Sequence, residues 1–365
     1  MPTTAAVSQA LLAEAMTLHA ASGQAASGEA VTDQATADHA RSAQLSPPTY
    51  TCRVVEGSEA VLHALSALTG KTPPVPAVGE EASPKRPAAA TAFQSVPWLA
   101  ALFAITAPIR HAQPRLILVD EAKTGRLALA MPMLVFQDGR LRIAEIADLG
   151  LSDYCAPWLG PAAPVEAAAC ARLYAAVAAA LTGVDLIRLE KLPVLLAGRL
   201  NPLCQHSRVL PSRFVGNTLH ITDTVDAFVA SRGKKYRKEV ERSRRRLEEF
   251  GEVKFERATT PDQINRAYQQ LEAWQSERHR EAGHAYCLDR PEVSQFYRAL
   301  VDATASTGEA SLFTLSAGGE PAAILFGVTN AGTFTLIRIA DGGERWRHVS
   351  PGRMIVIEAL RTLVG

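Results

Sequence analysis

Ten consecutive residues, Arg345-Trp346-Arg347-His348-Val349-Ser350-Pro351-Gly352-Arg353-Met354, carry the strongest chemical signal in the chain. They follow a run of β-forming residues and open a helical pattern. Backbone N–H groups at such a helix start, with the positive end of its dipole, can hold an anion. Ser350 suits an N-cap, Pro351 the first helical position, and Gly352 the close approach of a ligand to the backbone. Arg345, Arg347 and Arg353 bracket the turn, so the guest it suits is a phosphate or pyrophosphate. The competing reading is an ordinary capped helix with solvated arginines. The motif is neither a Walker A loop nor a dinucleotide fingerprint, so nucleotide hydrolysis and hydride transfer lack their usual signatures.

A second feature is the basic run Arg232–Arg246, with Lys234, Lys235, Arg237, Lys238, Arg242, Arg244 and Arg245 inside it, interrupted only by Glu239 and Glu241 among acids. On a helix, Tyr236, Val240, Ser243, Leu247 and Phe250 form one inward stripe, and the basic residues take the remaining faces. Lys235/Glu239 and Arg237/Glu241 fall at i,i+4 spacing. The plain reading is a solvated face. The functional one is a surface for an anionic substrate or carrier, with Lys234, Lys235 and Arg237, joined by Arg278, as candidate substrate contacts. Aromatic side chains that could stack bases are sparse, which argues against sequence-specific nucleic-acid recognition.

Other constellations are weaker. Ser152-Asp153-Tyr154 occupies a loop equivalent to the anion turn but lacks nearby arginines. His279, His284 and His348 do not show metal-ligand spacing with a carboxylate or cysteine partner, so no metal is expected. No Gly-x-Ser-x-Gly is present. The cysteines Cys52, Cys155, Cys170, Cys204 and Cys287 are odd in number and widely spaced, which indicates reduced, mostly buried thiols.

The elements that position these residues come from a chain of 365 residues with 47% hydrophobic and 21% charged residues, enough for two cores. The net charge of +1 gives no global field toward nucleic acid or anionic membrane. No window reaches the roughly 18 uncharged apolar residues of a membrane span, and no signal-peptide pattern opens the chain, so a cytoplasmic protein that does not span a membrane is expected. Residues 1–48 read as an Ala-rich disordered tail, and the Pro-rich stretch within 72–90 as an insertion. The spacing predicts strands at 50–55, 115–119, 127–136, 141–147 and 184–189, with helices at 60–68, 96–104 and 165–181. In the second half it predicts helices at 234–249, 262–279, 291–303 and 352–363, and strands at 310–316, 322–329 and 333–340. Both halves place helices before a three-strand meander and then a loop opening a helix, a weak duplication of element order. The first half returns to its sheet after that helix, whereas the second stops, so its C-terminal strand is expected to be missing.

The string from Phe228-Val229-Ala230-Ser231-Arg232-Gly233-Lys234-Lys235-Tyr236-Arg237-Lys238 to Leu247-Glu248-Glu249-Phe250-Gly251 resembles the signature helix of one branch of the GNAT acyltransferases. That branch holds the BioF2-like and cellulose-biosynthesis-associated acetyltransferases, relatives of the FemAB peptidyltransferases. Trp274 to Gly283, Ser350-Pro351-Gly352, Phe93-Gln94-Ser95-Val96-Pro97-Trp98-Leu99 and Ser152-Asp153-Tyr154-Cys155-Ala156-Pro157 are similar to the same branch, over roughly residues 50–365. The resemblance implies an α/β chain of tandem GNAT-like domains, at 49–222 and 223–365, with mostly antiparallel sheets flanked by helices and the second copy truncated. It implies acetyl-CoA as donor, its pyrophosphate held at Ser350, Gly352, Arg353 and Met354 with help from Arg345 or Arg347. It further implies oxyanion stabilisation by a strand N–H near Ile339 or Ala340, with Asp341 and His348 as candidates for moving the proton. The expected acceptor is a small molecule or saccharide, in exopolysaccharide or cellulose synthesis. The alternatives are an aminoacyl-tRNA-dependent transferase and a non-catalytic scaffold for an acidic partner.

Overall fold

A computed structural model describes residues 49–69, 91–212 and 216–364. The expected tail at 1–48, the Pro-rich insertion at 72–90 and Gly365 lie outside the described residues. The described residues from Tyr50 onward form one compact unit.

The first half runs β1 (Tyr50–Glu56), α1 (Ser58–Thr69), α2 (Val96–Ala101), β2 (Gln113–Glu121), β3 (Leu127–Asp138), β4 (Leu141–Ile146), the short β5 (Trp158–Leu159), α3 (Ala167–Ala180) and β6 (Leu186–Arg188). Beyond α2 the chain makes a π-helical turn, Leu102–Thr106, and one further turn, Ala107–Ile109. A small hairpin follows, β7 (Leu195–Leu196) with β8 (Arg199–Leu200). The second half runs α4 (Val225–Ser231), α5 (Lys234–Glu248), β9 (Val253–Arg257), α6 (Pro261–Glu281), α7 (Pro291–Thr304), β10 (Ala310–Ala317), β11 (Glu320–Asn330), β12 (Thr333–Asp341), a short helical turn (Glu344–Val349) and α8 (Pro351–Val364).

The strands of the first sheet lie in the order β1-β2-β3-β4-β6, and those of the second in the order β9-β10-β11-β12. Every pair in both series is antiparallel except β4–β6, which is parallel. The predicted meanders are therefore present. β9 was not predicted: five residues between two helices, packed at the sheet edge, give too few alternations to register as a strand. Pairing with β10 at Phe313↔Arg257 to Ala317↔Val253 supplies what local pattern does not.

One continuous core joins the halves. Trp98 is fully buried and meets Phe93 at 4.9 Å, Phe296 at 5.0 Å and Tyr297 at 6.1 Å between ring centroids. Asn330 Nδ2 donates to Thr91 O across the same junction. A separate core under α8 gathers Val240, Leu247, Trp346, Met354 and Ile355.

Candidate active site

β12 owes its form to Thr333-Phe334-Thr335-Leu336-Ile337, β-branched and aromatic side chains that favour a pleated surface. Its register against β11 runs Ala323↔Asp341 to Phe326↔Arg338 and resumes at Gly327↔Leu336, so Ile337 is bulged out. Ile337 packs with the core shared between halves, while Ile339 packs with the core beneath α8. Gly342 N–H donates to Ala322 O across to β11. By the alternation of an antiparallel ladder, Ala340 faces β11 as well, and Ile339 turns its peptide groups to the outer edge. There its carbonyl accepts from Gln275 Nε2 at 3.1 Å. No strand of the described residues pairs with that edge.

The turn after β12 is built on glycine. A side chain at Gly342 would run into the rings of Trp346 and Trp274. Gly343, at φ 77°, has the left-handed conformation that glycine adopts at no steric cost, and its N–H donates to Asp341 Oδ1 at 3.1 Å. Ser350 stands at the expected N-cap position, directly before α8, but not in the extended conformation usual there. It is itself left-handed (φ 52°), closing one helical turn as it opens the next. Its carbonyl accepts from the N–H groups of Arg353 (3.1 Å) and Met354 (3.3 Å), and Pro351 has no N–H, so Gly352 supplies the remaining first-turn donor. Met354 is 2% exposed and serves the core.

Each arginine of the turn has a carboxylate partner. Arg345 pairs with Glu320 and lies over the rings of Trp346 (5.2 Å) and Phe250 (5.5 Å). Arg347 pairs with Glu344 at 2.7 Å in full exposure. Exposed pairs of this kind contribute about 0–1 kcal/mol, so a phosphate can replace the carboxylate at little cost. Arg353 is better held, 3.1 Å from Glu239 and 5.6 Å over the Tyr236 ring. Glu239 therefore serves Arg353 and not Lys235, contrary to the helical-pair expectation; Arg237–Glu241 does form, at 3.8 Å.

α5 buries Val240, Ser243 and Leu247 and leaves Lys234, Lys235 and Arg237 exposed, as its amphipathic pattern predicts. Arg246 Nη1 donates to His348 O at 2.8 Å, and the His348 ring stands 5.8 Å from Phe250. Asp341 instead faces α6, where Arg278 lies 3.4 Å from its Oδ2. The structure thus brings Arg278 to Asp341 and His348 to the basic helix.

Sequence reading missed the polar centre behind β12. Arg338 is 7% exposed. Its Nε donates to Gln275 Oε1 (2.6 Å), its Nη2 to Tyr286 OH (2.7 Å) and its Nη1 to Tyr268 OH (3.4 Å). The guanidinium lies 5.4 Å from the Tyr297 ring centroid and 5.7 Å from that of Tyr268. Tyr286 OH donates on to Gln275 Oε1 at 2.5 Å, and Tyr268 OH to Glu272 Oε1 at 3.2 Å. Burial pushes the Tyr268, Tyr286 and Tyr297 phenols up, Tyr286 to about 12, against the opposing charge of Arg338. His279 stacks on Tyr286 at 4.4 Å. Burial first, then His284 and Arg278, hold its imidazole below the usual range. A charged residue in the otherwise apolar run Leu336-Ile337-Arg338-Ile339 was the available signal. Its partners, tens of residues away, left none.

From the first half, Tyr154 of the loop Ser152-Asp153-Tyr154 packs against the same core as Tyr268 and Tyr297. Lys191 Nζ binds Asp148 Oδ2 and Ser152 O, both at 2.7 Å, and the Tyr154 ring meets Phe93 at 6.1 Å. The Cys287 thiol and then the Asp153 carboxylate add to the rise of the Tyr297 phenol. Beyond Tyr286 lies a cleft of about 260 Å³ lined by Glu272, Ser276, Leu288, Asp289 and Ser294. Among the described residues no His, Cys, Asp and Glu side chains cluster as a metal site, and no helix is long and apolar enough to cross a membrane.

Residues 234–365 match the family model described as acetyltransferase (GNAT) domain, so the C-terminal part of the chain is a GNAT-type domain. Over 85% of this chain and 86% of the other, the fold is similar to the crystal structure of a conserved protein of unknown function from Bacteroides thetaiotaomicron VPI-5482, at 14% identity and TM-score 0.46. A comparison with curated proteins returns no match.

Proposed function

We propose that the protein is an acyltransferase that moves an acyl group from acetyl-CoA to a hydroxyl or amine of a saccharide-type acceptor. The observation that carries this reading is the open, bulged strand β12 running through a glycine turn into α8, within the segment matched as a GNAT domain. The residues fit the donor. Gly352 offers a backbone N–H at a helix start, and a side chain there would meet only Ile339 Cδ1, at 3.7 Å. Arg345 and Arg347 stand on exposed pairs that a phosphate can displace.

Acetyl-CoA supplies a thioester carbonyl activated toward attack. The chain supplies the surroundings. Ile339 N–H, on the free edge, is placed to stabilise negative charge on that carbonyl oxygen. Gln275 donates to Ile339 O on that same edge and holds the next peptide group in place. Asp341, held by Arg278 and the Gly343 N–H, and His348 are the titratable groups of the turn that can take the acceptor's proton. The shared strand order of the two sheets supports reading 49–222 and 223–365 as tandem GNAT-like copies. The quoted motifs support assignment to the BioF2-like, cellulose-associated branch, with a cytoplasmic role beside polysaccharide synthesis.

The exposed cations Lys234, Lys235 and Arg237 favour a second reading, in which the donor is an aminoacyl-tRNA or the helix docks an acidic partner. Free-thiol release from acetyl-CoA, measured with a panel of amines and sugars, separates the readings. Acceptor-dependent release above the hydrolysis background is expected. Its absence across the panel, with salt-dependent binding of charged tRNA in its place, would overturn the first reading.

A further inference from the structure

We infer that Arg338 and its cage form the acceptor's recognition site, and that the acceptor carries a carboxylate. The inference rests on β12 being the transfer strand, as proposed above.

An arginine 7% exposed should be paired, because a buried charge left to neutral partners is expensive. Among the described residues no carboxylate comes within ion-pair distance of Arg338, and Glu272 reaches it only through the Tyr268 hydroxyl. A guanidinium carries more N–H donors than the three acceptors met here, and the Nη1 contact is a long one. Gln275, Tyr286 and the rings of Tyr268 and Tyr297 fix the plane of the fork. A rigid, charged, incompletely satisfied fork is matched to the two oxygens of a carboxylate.

Position agrees with that role. Arg338 precedes Ile339, whose N–H faces the transfer edge, so a molecule gripped by its carboxylate lies beside the reacting carbonyl. The cleft beyond Tyr286 presents the Glu272 and Asp289 carboxylates, which repel an anion.

The test titrates the full chain calorimetrically with galacturonate against galactose, and with N-acetylglycine against N-acetylglycinamide. Wild type should bind at least one acid about 10-fold more tightly than its neutral counterpart. Arg338→Gln should bring the two within about 2-fold, while Arg338→Lys should keep part of the preference, since the charge stays and the fork goes. The inference is overturned if no acid outbinds its counterpart in wild type, or if the preference survives in Arg338→Gln. Circular-dichroism melting of the same proteins reports that each variant is folded, and acetyl-CoA titration keeps the two claims apart. A wild type that binds the acids but not acetyl-CoA retires the donor assignment alone. If Arg338→Gln does not fold, Tyr286→Phe replaces it, with an expected loss of the preference of about 3-fold or more; an unchanged preference there also overturns the inference.

Discussion

His279 shows how single residues in this molecule are set by neighbours far away in sequence. Its ring is stacked 13° from the Tyr286 plane, and burial, His284 and Arg278 each oppose its protonation. The imidazole is therefore neutral at pH 7 and leaves the charge of this region to Arg338 and Arg278. The sign for stability follows. Below its usual value of about 6.5 the unfolded chain takes up the proton more readily than the folded one. The contribution of His279 is then complete above that pH and is lost as pH falls. A proton NMR titration should give a midpoint under 6.5, and a value at or above it would contradict this account of its surroundings. Nothing near His279 in the sequence announces Tyr286 as its partner, and Ser350 likewise reads as a plain N-cap until its left-handed φ is seen.

At the scale of elements, long periodic segments were legible because their pattern is local. α5 sets Val240, Ser243 and Leu247 inward as the 3.6-residue repeat requires, and the hairpin turn at Gly318-Gly319 joins strands found where alternation put them. β9 was not legible, because only its pairing with β10 defines it. The packing of α5 against α8 was also hidden, since Glu239 has a local candidate in Lys235 and chooses Arg353, 114 residues on. That pair is one-fifth to one-third exposed, so each partner alone should matter by about 1 kcal/mol. Glu239→Arg should lower the melting temperature, and Glu239→Arg with Arg353→Glu should recover part of the loss. Equal melting temperatures for single and double variants would show that the pair does not fasten the helix.

At the scale of the whole molecule, the function proposed above puts the donor's turn and the acceptor's polar centre on one strand, beside a core to which the first half contributes Tyr154. Trp98, Phe296 and Tyr297 join the halves in one core, so the geometry behind β12 depends on both. The order of the meanders in both halves, and the loop that leads from β12 into α8, could be read from local pattern along the chain. Arg338 could not, because its meaning lies in Gln275 and Tyr286. The central claim is that the turn from β12 into α8 holds acetyl-CoA, and calorimetric titration of wild type and Gly352→Glu tests it most directly. Gly352 has space for a side chain, so the variant should fold. The account predicts binding by wild type with a Kd on the order of 10 μM, near the range of working substrate concentrations. It predicts weakening by about 10-fold or more when a carboxylate enters the turn. Absence of binding by wild type, or equal binding by Gly352→Glu, would contradict it.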